Sequence, residues 1–257
     1  SALIASGKPF ADFMEERLFE PLGMTNTTFW PSPDHLDVLA KPYSKSKDSG
    51  ELVEAKNSRF SEPLHDQKRT AMASGGLYSC AKDLGQLYQM LLNEGQLGGK
   101  RYLKAATLKQ MTSNQLGDLA KVSFAPGMHM GLGFHIVHAP QDATESLSVG
   151  TYGHGGAFGT QAWIDPVKGV AYLLFVQRSN FPNSDGSDVR LGFQRAAAAA
   201  LAAAHAALER CMAIAVIGGF LVGIFQHVIS LVHFFELGFG VGVVGIAVGV
   251  EFLGLGT

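Results

Sequence analysis

The chain has 257 residues, enough for one large domain or two small ones around a sizeable core, which excludes a small disulfide-stapled scaffold. Twenty Lys and Arg against 22 Asp and Glu give a formal net charge of −2, without the basic excess that a phosphate-binding surface needs, so nucleic acid is not an expected partner. The two cysteines, Cys80 and Cys211, form no CxxC pair; they argue against a structural zinc site and leave the redox compartment open.

The chain opens on Ser1 with no basic segment leading into an apolar one, so a signal peptide is expected to be either already removed or never present. Pro9 suits the first turn of a helix, and Phe10, Phe13, Met14, Leu18 and Phe19 recur at helical spacing until Pro21 ends it. Residues 25–70 mix Pro, Ser, Asn, Lys and Asp without a period, and so long an irregular excursion is expected to line or cover a site. Ser79 reads as the N-cap of a helix carrying Leu84, Leu87, Tyr88, Met90 and Leu91, closed by Gly95. A shorter helix is predicted over residues 104–113.

After Pro126 the period changes. Residues 131–138, 161–165 and 170–177 are rich in aromatic and β-branched side chains and are predicted strands. Asp165, Pro166 and Gly169 supply turn chemistry between the last two, which should pair as an antiparallel hairpin. A closing helix starts near Asp188. Helices first, then consecutive strands, then a closing helix describe an α+β fold, an α/β sandwich with an antiparallel sheet flanked by helices.

The most concentrated site-like segment is Tyr152-Gly153-His154-Gly155-Gly156-Ala157-Phe158-Gly159-Thr160. Glycines around one histidine leave the main chain unshielded, so a ligand can reach its N–H groups. The pattern alone fits either a functional site or a tight glycine turn with a bystander histidine. Other candidates are weaker. His129, His135 and His138 suggest a metal, but on one strand His135 and His138 point to opposite faces, so no metal is expected. Gly240-Val241-Gly242-Val243-Val244-Gly245 matches GxGxxG without a preceding strand of a βαβ unit, and no nucleotide or other cofactor is expected.

The glycine segment resembles the third active-site motif of serine hydrolases related to class C β-lactamases, a family that includes penicillin-binding proteins, D-aminopeptidases and esterases. Ser6-Gly7-Lys8-Pro9-Phe10, Glu20-Pro21-Leu22-Gly23-Met24-Thr25-Asn26-Thr27, Ser74-Gly75-Gly76-Leu77-Tyr78-Ser79 before Asp83-Leu84, Gly131-Leu132-Gly133-Phe134 and Trp163-Ile164-Asp165-Pro166 carry the same resemblance in order. It implies a Lys-Thr-Gly or His-Gly-Gly edge strand facing a serine nucleophile. His154 would donate a hydrogen bond or positive charge to a substrate carboxylate or a catalytic tyrosine. The N–H of Ala157 would be one oxyanion-hole donor, and Gly155 and Gly156 would line the strand beside the acyl group. The substrate would be a small molecule or peptide with an ester, amide or lactam carbonyl.

The family's Ser-x-x-Lys helix and Tyr-x-Asn loop precede the Pro-Leu-Gly-Met segment, so they are expected upstream of this chain, which alone would be inactive. The Ser-x-x-Lys matches at Ser44 to Lys47 and Ser79 to Lys82 are not expected to be nucleophiles, the first lying in a polar loop and the second at a helix cap. The alternative is a non-catalytic binding or membrane-associated module that keeps the fold. Residues 1–205 read as the partial hydrolase domain and 206–257 as an apolar extension. From Cys211 onward the only formal charges are Glu236 and Glu251, and residues 212–235 are long enough to cross a bilayer. The Gly219-x-x-x-Gly223 and Gly245-x-x-x-Gly249 spacings favour a membrane hairpin, with membrane contact through residues 211–257. An oligomerisation segment and an unselected tail are the other readings.

Overall fold

A computed structural model of the chain describes residues 5–55, 63–117, 119, 126–179 and 185–217, with side chains through residue 207. Helix α1, Phe10–Met14, follows Pro9 as predicted, but the second half of the predicted helix is wound as a π turn over Glu15–Phe19. At its end Phe19 is buried with Leu22, Met24 and Phe29. The 25–70 excursion is less irregular than its composition suggests. It contains helix α2, Pro33–Leu36, and an antiparallel hairpin of β1, Tyr43–Lys45, with β2, Leu52–Glu54.

Helix α3, Ala81–Leu92, ends through two bonds that satisfy its last carbonyls: Gly95 N–H donates to Met90 O at 2.9 Å and Glu94 N–H to Leu91 O at 3.1 Å. Glycine is required at 95, where φ is +88° and a Cβ would collide with Leu103 O. The start of α3 departs from expectation. Cys80, not Ser79, occupies the cap position, and no side chain caps it. The Ser79 hydroxyl instead lies 2.8 Å from Thr27 Oγ1, which donates to the buried Asp83 carboxylate at 2.9 Å, while Asn26 N–H donates to the same carboxylate at 2.7 Å. An acid in the first turn of α3, where the helix field favours negative charge, thus holds the Pro-Leu-Gly-Met segment to the helix.

A two-stranded ribbon, β3 (Gln96–Leu97) with β4 (Lys100–Arg101), leads to α4, Ala105–Met111, inside the predicted 104–113 helix. Then come β5 (Met128–Met130), β6 (His135–Val137), β7 (Tyr152–Gly155), β8 (Gln161–Asp165) and β9 (Val170–Leu174), an antiparallel meander in sequence order. The run 131–138 is therefore not one strand. It turns back at Gly131–Phe134, where Gly133 has φ +80°, and pairs its end with β5. The β8–β9 hairpin is as expected: Asp165 Oδ1 accepts from Val167 and Lys168 N–H, and Gly169 takes φ +65°.

Register explains the two cores. Ile136, Tyr152, Ile164 and Ala171 stand side by side across four strands and face α3, whose Tyr88 hydroxyl donates to Ala162 O at 3.2 Å. The next row, Met130, His135, Gly153, Trp163 and Tyr172, turns the other way, and Trp163 and Tyr172 pack on that face with Ala197, Phe193 and Leu201 of α5, Asp188–Ile217. Helix α5 crosses residue 205 without a break. Most of the 211–257 extension lies outside the described residues, among which no helix is long and apolar enough to cross a membrane.

Asp83→Ala should destabilise the chain by about 1–3 kcal/mol, because it leaves Asn26 N–H without its acceptor and Thr27 with one partner fewer. Urea unfolding measures this, and an unchanged midpoint would show that the carboxylate does not hold the two segments together.

Candidate active site

Strand β7 is the middle strand of five, not an edge, but its neighbour β6 pairs only with Tyr152 and Gly153. On that side His154 and Gly155 have no partner strand among the described residues, so the outer half of β7 is a local edge there. His154 is exposed there, and its ring nitrogen Nδ1 lies 2.5 Å from Gly155 O. A carbonyl only accepts, so Nδ1 is the donor and Nε2 remains for a ligand, as acceptor in the neutral ring or donor in the charged one.

Beyond β7 the chain reverses in a turn clamped by Gly156 N–H to Thr160 O at 2.7 Å and Gly159 N–H to Gly156 O at 3.0 Å. Ala157 sits exposed on this turn, and its N–H makes no hydrogen bond among the described residues. The turn is tied to the chain after β9 by Arg178 N–H, which donates to Phe158 O at 2.9 Å. Tyr43 of β1 bridges the same place, donating its N–H to Gln177 O and accepting from Ser179 N–H. The β1–β2 hairpin of the long excursion is thereby fixed beside the strand end that carries the turn.

What lies behind β7 was not legible in the sequence. A Cβ at Gly153 would collide with Ala162 O and stand 2.8 Å from Trp163 Cδ2, because the indole lies against the bare backbone. Trp163 Nε1 donates to Gln161 Oε1 at 2.8 Å, and Gln161 Nε2 donates to Asp185 Oδ1 at 2.9 Å. That carboxylate fills the place a Gly155 side chain would take. Arg190, 1% exposed, lies 4.1 Å above the Trp163 ring and donates from Nη1 to Asp185 O at 2.8 Å. Burial pulls its guanidinium down to about 10, with Asp185 opposing the shift, so it stays charged at neutral pH. A polar residue such as Gln161 opening an otherwise apolar strand was the one available signal for this network.

The histidines divide. His129 and His138 stack at 4.1 Å, whereas His135 is buried and stacks on His154 at 4.7 Å with the ring planes 19° apart. Burial first, and His154 second, hold His135 below the ordinary imidazole range. Among the described residues no group of three His, Cys, Asp or Glu is placed to hold a metal ion. Ser44 lies on strand β1, not on a helix, and Ser79 spends its hydroxyl on Thr27 while Lys82 is exposed, so neither Ser-x-x-Lys match has the nucleophile geometry.

The Beta-lactamase family model matches residues 4–197. The chain belongs to the beta-lactamase family. Its relatives include the D-alanyl-D-alanine-carboxypeptidase/endopeptidase AmpH of Escherichia coli (strain K12), 31% identical over 71% of this chain and 44% of that protein. The chain spans about two fifths of the length of other curated relatives it matches. Two solved structures share the fold. EstCE1, a hydrolase with promiscuous acyltransferase activity, has a TM-score of 0.57 at 22% identity, over 76% of this chain and 52% of that one. The LovD6 mutant of simvastatin synthase from Aspergillus terreus has a TM-score of 0.61 at 20% identity, over 77% of this chain and 52% of that one. The α+β architecture expected from the sequence is thus that of the beta-lactamase family.

Within this fold the two glycines after His154 differ. A Cβ at Gly155 would strike Asp185 Oδ1 and stand 2.5 Å from Gln161 Nε2, whereas one at Gly156 would meet only Thr160 at 3.6 Å. Gly155→Ala should cost about 1–3 kcal/mol by overpacking, and Gly156→Ala markedly less. Thermal unfolding of the two variants checks this; equal losses would remove Asp185 from the rear of β7.

Proposed function

We propose that this chain carries the strand side of a serine acyl-transfer site that hydrolyses ester, amide or lactam carbonyls through an acyl-enzyme. The observation that supports it most is an exposed His154 on the end of β7 that β6 leaves uncovered, followed by a clamped turn in which Ala157 N–H has no acceptor among the described residues. When a hydroxyl adds to a carbonyl, negative charge moves onto oxygen, and a main-chain donor fixed in advance stabilises it without reorganising; one such donor is worth about 10²–10³ in rate. In this reading Ala157 N–H takes that role. Gly155 and Gly156 leave room for the acyl chain to lie along the strand. With Nδ1 bonded to Gly155 O, the protonated His154 ring donates from Nε2 to a substrate carboxylate or to the general base, and as a histidine in place of a lysine it anchors a carboxylate less firmly.

The substrate class we favour is a peptide or small ester over a β-lactam, consistent with the D-alanyl-D-alanine-carboxypeptidase/endopeptidase among the relatives. In this reading the serine, its lysine and the tyrosine belong to the opposite side of the groove, and neither Ser44 nor Ser79 supplies the nucleophile. The 257-residue chain alone is accordingly inactive, since it supplies one side of the groove and no activated nucleophile.

Two measurements test this. The purified chain, with Ser44→Ala and Ser79→Ala beside it, should turn over neither a chromogenic ester nor a chromogenic cephalosporin; turnover lost with either substitution would place the nucleophile within the chain. In a protein completed upstream with in-frame Ser-x-x-Lys and Tyr-x-Asn segments, His154→Ala should slow acylation by roughly 10- to 1,000-fold. An active completed protein whose acylation ignores His154 would put the groove elsewhere, and one that binds peptide or ester without turnover would favour a binding module.

A further inference from the structure

A second histidine stands beside the first, and sheet packing alone does not call for it. His135 opens β6, is 5% exposed, and faces Met130 and Gly153 across the strands. Because Gly153 has no side chain, nothing on β7 separates the His135 row from the outer end of that strand. The His154 ring reaches over the open edge of β7 and lies on the His135 ring, 4.7 Å away. An exposed imidazole otherwise samples several rotamers. Here one contact, from Nδ1 to Gly155 O, holds an edge of the ring, and the stack covers a face.

We propose that His135 is a positioning residue, a buried platform that holds the His154 imidazole in one orientation at the open edge of β7. It rests on the reading that His154 belongs to the acyl-transfer site. The platform works while it is uncharged, because a neutral ring under His154 accepts either charge state of its partner, whereas two charged rings in contact repel. The groups around His135 bear on this. Arg190 of α5 and His154 of β7 disfavour its protonation, Asp185 before α5 favours it, and Asp142 lines the same cavity of about 90 Å³ as His135, Asp185 and Arg190. Burial has the largest effect and favours the neutral ring. Since folding depresses the His135 proton affinity, the unfolded chain takes up that proton first. Stability should decline as pH falls below the ordinary 6.5, and the stack should be lost at lower pH, once the folded ring itself takes up the proton.

Histidine-selective labelling and NMR of the full chain, from about pH 8 to about pH 5, test the platform without any turnover. The native chain should show a ring-to-ring Overhauser contact between His135 and His154 at neutral pH that disappears at the acid end. His135→Phe should keep an aromatic contact with His154 and abolish its acid loss. His135→Ala should shift the His154 ring signals toward those of an exposed histidine held only through Nδ1. The Trp163 indole signal serves as the fold control, and if the alanine variant disturbs it the native and phenylalanine chains decide. No contact in the native chain, or an acid loss that persists in His135→Phe, overturns the proposal. A platform present in an active completed protein whose acylation ignores His154 would leave the stack standing and sink the hydrolase reading instead.

Discussion

The site depends on an aromatic ring pressed against bare backbone. Trp163 can press against β7 only because position 153 carries no side chain, and it is held there by Arg190 above its ring and Gln161 at its Nε1. Side chains alternate along a strand, so Gly153 and Gly155 share the rear face of β7, one filled by the indole and the other by the Asp185 carboxylate. The strand is thus supported from behind by side chains that belong to β8, the segment before α5, and α5 itself. Its front is left free for Tyr152, which packs toward α3, and for His154, which turns over the unpaired edge.

Such a support must solve an electrostatic problem, because it buries a guanidinium. An unpaired buried cation would cost several kcal/mol. Arg190 is compensated in two ways: its face lies on the indole, where the ring's negative face attracts a cation, and its Nη1 donates to the Asp185 carbonyl. Asp185 in turn orients Gln161, which orients Trp163. Each polar group fixes the next, so α5 is tied to β8 by a directed set of hydrogen bonds, and the indole held by them makes the last, apolar contact with β7. The same logic holds at the other end of the domain, where the buried Asp83 fastens Asn26 and Thr27 to α3.

These two arrangements show where reading the residues reaches and where it stops. The β8–β9 hairpin was visible because its determinants are local: Asp165 closes its own turn and Gly169 takes the positive φ within a few residues. The close of α3 at Gly95 was visible for the same reason. The 131–138 run misled because its composition is strand-like throughout, while the reversal is set by Gly133 and by the close approach of Gly131 to Met111 of α4. Ser79 misled because a distant partner, Thr27, took the hydroxyl that a local rule assigns to the helix end. The motif of the candidate site was legible as a pattern of glycines around His154. The reason for those glycines was not, since Trp163, Asp185 and Arg190 reach β7 through tertiary contacts that no spacing encodes.

A division of labour along one strand follows from this. Rear-facing positions are constrained by volume, since even a methyl group at 153 or 155 meets backbone or a carboxylate. Front-facing and turn positions are constrained by what must approach them: His154 is exposed, Gly156 has space for a Cβ, and Ala157 presents a main-chain N–H that any side chain would also carry. Substitutions at His154, Gly156 and Ala157 should therefore cost little folding stability, while those at 153 and 155 alter folding first. His135 is the exception that joins the two sides. It belongs by burial to the rear and by ring contact to the front, so a change in its charge is felt both by the packing behind β7 and by the imidazole at the open edge.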